Sequence, residues 1–172
     1  LAFGAEAWAA YITEVAPFVR RVTEWSFGVG LHYQMPTPFM TVRAFGGGLD
    51  LAYAVQAAAS LAAAALVWRA WRPGRATPGQ RIGLLLLLAP LATPYAHSYD
   101  MVSAAVGIVL LMPRPEAAWL SARLARFALL VAWLWPGLAF LFGLTVMPGL
   151  GAIILATAAA AALAAQARAA PR

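Results

Sequence analysis

Apolar positions fall along this chain in two rhythms. From Gly4 to Gly28, Trp8, Tyr11, Ile12, Val15, Phe18, Val19, Val22 and Trp25 recur at helical spacing and form one stripe. Glu6, Glu14, Arg20, Arg21 and Glu24 lie largely on the other face. That much charge is too high for a membrane span, and the aromatic-rich stripe predicts a helix lying in a membrane interface. A soluble core helix would need a soluble partner domain that the chain lacks. Pro17 is expected to kink this helix or split it. Residues 29–50 then read as a loop: His32, Tyr33, Gln34, Met35, Pro36, Thr37 and Pro38 are polar or helix-breaking. Phe39 to Phe45 predicts a short helix, stopped by Gly46, Gly47 and Gly48.

Beyond that loop the rhythm changes to long apolar runs. Five segments are expected, at about 49–71, 81–93, 99–113, 124–142 and 149–167. The first is long enough to span a bilayer. Ile82 to Met112 is less regular. As one helix its 31 residues would reach ~46 Å, too long for a ~30 Å core without strong tilt. Pro90 and Pro94 also oppose a straight helix, so two short helices are expected, joined by Thr93-Pro94-Tyr95-Ala96-His97-Ser98-Tyr99-Asp100. Ala156 to Ala170 is nearly all Ala and reads as packing surface. The chain thus divides into 1–48, an interfacial helix and loop, and 49–172, a bundle of transmembrane helices.

Composition explains why the solvent is lipid. Of 172 residues, 63% are hydrophobic and 10% charged, against ~25% charged in ordinary soluble domains. Mean hydropathy is +0.77. A soluble domain of this size cannot hide so much apolar surface. This excludes a soluble enzyme, a nucleic-acid module, a disulfide-stapled domain and a disordered segment. Cys is absent, so no thiolate nucleophile or Cys-based metal site exists. The net charge of +6 comes without a basic stripe of interleaved aromatics, so no nucleic-acid partner is expected. The chain opens on Leu1 with no basic n-region or cleavage site, and reads as a piece of a longer protein that begins at the tail of an upstream membrane helix.

All twelve basic residues are Arg, and their distribution sets the topology. If Ile82 to Met112 is a hairpin, Arg69, Arg72, Arg75, Arg81, Arg114, Arg123, Arg126, Arg168 and Arg172 share one side, and only Arg20, Arg21 and Arg43 lie opposite. The positive-inside rule makes the Arg-rich side cytoplasmic, and a multi-pass protein of the cytoplasmic membrane is expected. The interfacial helix, the 29–50 loop and the Thr93–Asp100 joint then face the extracytoplasmic side.

Those polar segments hold the candidate chemistry. Asp100 is an acid at the edge of a membrane, a functional hypothesis by default, though it can also serve as a charge at a helix N-terminus. His97 sits three residues earlier, where an imidazole beside a carboxylate can take a proton. With His32 they would give at most three metal ligands, and no metal is expected. Tyr95 and Tyr99 read as substrate contacts or belt aromatics. A guanidinium at Arg43 can hold a phosphate through two parallel hydrogen bonds, or anchor to lipid headgroups. His32 and Gln34 are weaker candidates from the same loop.

Met35-Pro36-Thr37-Pro38-Phe39, Val42-Arg43-Ala44-Phe45-Gly46 and Ala52-Tyr53-Ala54-Val55-Gln56-Ala57, with Ala92-Thr93-Pro94-Tyr95-Ala96-His97-Ser98-Tyr99-Asp100, resemble the C-terminal part of glycosyltransferase family 87. Gly4-Ala5-Glu6-Ala7-Trp8 resembles that family's passage from a membrane helix to an interfacial one. The likeness covers roughly Leu1 to Met112. The family commonly carries an aromatic and an acid where this chain has His97 and Ser98, with Tyr99-Asp100 retained. The resemblance implies an all-α membrane bundle of the GT-C class. Its members move a hexose, often mannose, from a polyprenyl phosphate carrier to a glycan or glycolipid acceptor on the outer face, with inversion and without a cofactor. The family's catalytic Asp lies near its N-terminus, upstream of Leu1, so this segment alone is expected to be inactive. Two rival readings remain. One is a transporter with a broken-helix polar site, and the other is a non-catalytic membrane assembly subunit. An Asp100 toward the outer interface would favour the transferase over a transporter, whose site would lie near mid-membrane.

Overall fold

The computed structural model describes residues 4–28, 30, 32–113, 120–141 and 149–169, with α8 side chains described as far as 167. It is all-α, and no strand occurs among the described residues. The helices are α1 (Gly4–Ala10), α2 (Ala16–Glu24), α3 (Pro38–Ala44), α4 (Leu49–Trp71), α5 (Pro78–Leu88), α6 (Met101–Leu111), α7 (Leu120–Leu141) and α8 (Leu150–Ala169). Three of them, α4, α7 and α8, are long and apolar enough to cross a membrane. The expected Arg114 and Arg172 positions, and residue 142 at the end of the fourth expected segment, lie outside the described residues.

Pro17 neither ends the first helix nor sharply breaks it. A single π-helical turn, Tyr11–Val15, joins α1 to α2, and the Ala16 N–H bonds the Tyr11 carbonyl. Proline lacks an N–H and its ring collides with the carbonyl four residues back. A wider turn moves that carbonyl aside. The aromatic stripe stays open: Trp8, Tyr11, Ile12 and Phe18 are each more than half exposed.

The loop after α2 is tightly built. The buried Thr37 side chain caps α3 by accepting from the Met40 N–H, and Pro38 sits in the first turn, where its missing donor costs nothing. Gly46 ends α3 in the left-handed region at φ +82°, while a side chain on Gly47 would run into Val42.

The Ile82–Met112 segment is a broken hairpin. Helix α5, capped by Thr77 and Gln80, tightens into a 3-10 turn at Ala89–Ala92 around Pro90. The chain is non-helical over residues 93–97, and a 3-10 turn, Ser98–Asp100, leads into α6. The two arms press backbone to backbone. A Cβ on Gly107 would sit 2.7 Å from the Gly83 carbonyl oxygen and 2.8 Å from the Leu87 nitrogen. Each arm is ~22 Å long, short of the ~30 Å hydrocarbon core.

Helices α7 and α8 pack through small residues. Ala122, Ala125, Leu129 and Ala132 on one meet Ala152, Leu155, Ala158, Ala162 and Ala165 on the other, all buried at helical spacing. Such surfaces suit lipid, where close backbone approach replaces the hydrophobic drive between helices. Pro136 lies inside α7 without ending it.

Candidate functional site

Two cavities are lined in part by the chain around α3 and the first turn of α8, and the apolar one continues along α4 and α8 as far as Leu66 and Leu163. One, of about 260 Å³, is lined by Tyr33, Gln34 and Pro36 from the loop, Ser98 from the hairpin joint, Trp135 and Phe140 from α7 and Gly151 from α8, among others. It offers an amide, a hydroxyl and aromatic faces together. Gly151 lets the loop and α7 close onto α8 at its wall, because a Cβ there would lie 2.6 Å from the Pro36 Cβ and 3.2 Å from the Trp135 indole nitrogen. The other cavity, of about 400 Å³, is an almost wholly apolar groove between α4 and α8, roofed by Pro38, Thr41 and Val42 of α3. Pro36 and Gly151 line the first, while Pro38 and Ala152 line the second, so both draw on the chain entering α3 and on the first turn of α8.

A polar network fixes this arrangement. Gln56, buried in α4, accepts from the Phe39 N–H at 3.1 Å and donates to the Leu91 carbonyl at 3.0 Å. Ser60 donates to the Ala92 carbonyl at 2.9 Å. These side chains satisfy carbonyls that the end of the α5 arm leaves free, which a membrane interior demands. Thr41 donates to the Gly149 carbonyl at 2.9 Å and ties α3 to the start of α8. Ser60 lies midway along the 23-residue α4, so the α5 arm stops about halfway up that helix. The joint beyond it comes near the outer part of α4, where the Tyr95 and Tyr53 phenols interact electrostatically.

The candidate residues take up distinct places. Gln34 lines the polar pocket. His32 is fully buried, and its Nε2–H donates to the Val22 carbonyl at 2.8 Å, holding the loop to α2. Arg43 donates from Nη1 to the Gly47 carbonyl and from Nη2 to the Trp25 carbonyl, both at 3.1 Å. It joins α2, α3 and the Gly run, and three of its five N–H groups remain. The His97 ring stacks on Tyr99 at 5.2 Å. Its Nδ1 lies 2.9 Å from the Tyr95 carbonyl oxygen. A carbonyl only accepts, so Nδ1 carries a proton, and in the neutral ring the lone pair is then on Nε2. Asp100 does not orient that ring; its Oδ2 accepts from the His97 backbone N–H at 2.8 Å and closes the turn before α6. Among the described residues no three His, Asp or Glu side chains gather as a metal site.

Glu24 is a functional group that the sequence pattern marks only as a polar-face charge. It accepts from Arg20 Nε and from the Tyr53 hydroxyl, both at 2.7 Å, and Arg20 chiefly, then Tyr53, holds its carboxyl below the usual range. Gln56 had a visible signal, as the one internal amide of an apolar span. Ser98 was visible only as part of the polar joint, and Trp135 and Gly151 had no signal, because they meet it only through long-range packing. Comparison with protein families, curated proteins and solved structures finds no match to this chain.

Proposed function

We propose that this chain belongs to a membrane hexosyltransferase that takes a sugar, mannose as the first candidate, from a polyprenyl phosphate on the extracytoplasmic side. The observation that carries this reading is a pocket with an amide, a hydroxyl and aromatic faces beside an apolar groove along α4 and α8, both drawing on the chain entering α3 and the first turn of α8. A lipid-linked sugar has that same division, with a ring that wants hydrogen bonds and an aromatic face and a tail that wants hydrocarbon. Gln34, Ser98 and Trp135 hold the sugar; α4 and α8 hold the first part of the chain. Arg43, on the helix that roofs the groove, supplies charged hydrogen bonds to the phosphate. The acceptor hydroxyl attacks the anomeric carbon, the bond to the phosphate oxygen breaks, and polyprenyl phosphate leaves. His97 Nε2 is the proton acceptor that this segment offers, with Tyr95 and Tyr99 setting its tautomer and plane. Asp100 shapes the turn that presents it, and His32 holds the loop that presents Gln34.

A second reading has its own support. The α5 arm ends beside the middle of α4, and broken helices at mid-membrane are typical of transport sites. Hexose transfer from a polyprenyl phosphate donor, measured in membranes and corrected for protein level, separates the two. The transferase reading expects transfer by the native protein. Arg43→Ala should lower it ~10–100-fold, the worth of a charged hydrogen bond to the phosphate. Trp135→Ala should lower it by a similar factor. Substrate uptake without transfer would support the transporter instead. Arg43→Ala within a factor of ~2 of native would refute the phosphate role alone.

A further inference from the structure

The Arg-rich end has the opposite character, and its unpaired atoms are all of one kind. Four buried side-chain polar atoms lack a hydrogen-bond partner among the described residues: His32 Nδ1, Arg81 Nε, Ser121 Oγ and Gln166 Nε2. The last three lie in the first turn of α5, the first turn of α7 and the last turns of α8, and α8 packs against both α5 and α7. Arg81 and Gln166 can only donate through these atoms, and Ser121 can donate. Among the described residues, what these three atoms lack is therefore an acceptor.

The surrounding charge agrees. Arg69, Arg72, Arg75 and Arg123 are exposed at the same end, and no described residue there is an acid. Glu6, Glu14, Glu24, Asp50 and Asp100 belong to the interfacial helix, the outer turn of α4 and the hairpin joint. The sequence's remaining acid, Glu116, lies outside the described residues. The ion pair of Arg20 with Glu24 is also at the far end. Trp68 and Trp71 are exposed on the last turn of α4, with Arg72 stacked 4.0 Å over Trp68, and such aromatics mark headgroup depth.

We propose that the Arg-rich end binds the phosphate of an anionic phospholipid, held by the Arg81 guanidinium with Ser121 and Gln166. A phosphate offers oxygens to neighbouring donors at once, and a guanidinium binds it through two parallel hydrogen bonds. Arg81 Nε itself is closed to solvent, while residues Arg81, Ser121 and Gln166 are each only partly buried. Basic clefts between helix ends on the positive side of a membrane are suited to such headgroups. This site does not depend on the transferase reading.

The test is lipid retention by the delipidated, purified 172-residue chain, read by native mass spectrometry after adding phosphatidylglycerol, phosphatidylcholine or inorganic phosphate. Phosphatidylglycerol should bind at least ~10-fold more tightly than phosphatidylcholine, and Arg81→Gln should remove most of that preference. Ser121→Ala should weaken it a few-fold, and Arg21→Gln, at the far end, should leave it unchanged. Equal binding of the two lipids, or an Arg81→Gln chain that keeps the preference, would overturn the proposal. Displacement of phosphatidylglycerol by inorganic phosphate, with the same dependence on Arg81, would overturn the lipid assignment and make free phosphate the ligand. If Arg81→Gln does not fold, Ser121→Ala combined with Gln166→Leu carries the same two outcomes.

Discussion

The two ends of the bundle solve the problem of polar groups in a membrane in opposite ways. At the loop end, most side chains are matched to backbone groups: Gln56 with Phe39 and Leu91, Ser60 with Ala92, Thr41 with Gly149, Arg43 with Trp25 and Gly47, with His32 Nδ1 the buried atom left without a partner there among the described residues. At the Arg-rich end, Arg81, Ser121 and Gln166 keep unpaired atoms, and the exposed guanidiniums face outward. The first end is built as a rigid frame around two cavities. The second is built to meet charge from outside. The difference teaches that buried polarity does not by itself mark a site. Arg43 shows that one side chain can be both scaffold and recognition, since its two bonds to backbone carbonyls leave three N–H groups for a ligand.

The comparison can be broken most severely at Gln56. Gln56→Leu leaves the buried Phe39 N–H and Leu91 carbonyl without partners, at ~1–3 kcal/mol each. Thermal unfolding in detergent should show a larger drop for this change than for Thr37→Val, Ser121→Ala or Glu24→Gln. A loss under ~1 kcal/mol would mean that the frame does not depend on pairing.

A matched pair of smaller changes sharpens the contrast. Thr37→Val removes a cap that the α3 N-terminus uses and should cost ~1 kcal/mol. Ser121→Ala removes a hydroxyl with no partner and should fall within ~0.5 kcal/mol of native in zwitterionic detergent. Equal costs for the two would erase the distinction between the ends.

The smallest effect is pH-dependent. Arg20 and Tyr53 depress the Glu24 carboxyl in the folded state. A depressed folded value contributes stability that is present above the unfolded value of ~4.3 and is lost as pH falls through the lower, folded one. At neutral pH, Glu24→Gln should be less stable than native by under ~1 kcal/mol, since the pair is largely exposed. The two chains should converge in acid well below pH ~4. A constant gap from neutral to acid would remove Glu24 as the link between α2 and α4.

Much of the frame could be read in the sequence, because its causes are local. Periodicity gives the amphipathic helix, run length gives α4, and Pro90 with Pro94 gives the break. The π turn ahead of Pro17 was not legible, since proline dictates that a carbonyl must move but not how. The site was legible only in part. Gln34 was visible as a polar loop residue, but its partners Ser98, Trp135 and Gly151 come from distant segments. Spacing put His97 near Asp100 and suggested a pair, yet the imidazole turns to Tyr95 and the carboxylate to the backbone. The non-helical stretch over residues 93–97 and the 3-10 turn after it fix direction as much as distance.

The central claim is that the two ends face opposite sides of one membrane, with the framed cavities outside. The chain has no Cys, so single cysteines report sidedness without background. Gly74 lies at φ +72° and Gly47 packs on Val42, which makes them poor probe positions, whereas Ser26 and Arg75 are exposed at either end. In intact cells a membrane-impermeant thiol reagent should label Ser26→Cys at once and Arg75→Cys only after permeabilisation. Labelling of both from the same side, or of Arg75→Cys alone in intact cells, would contradict the account.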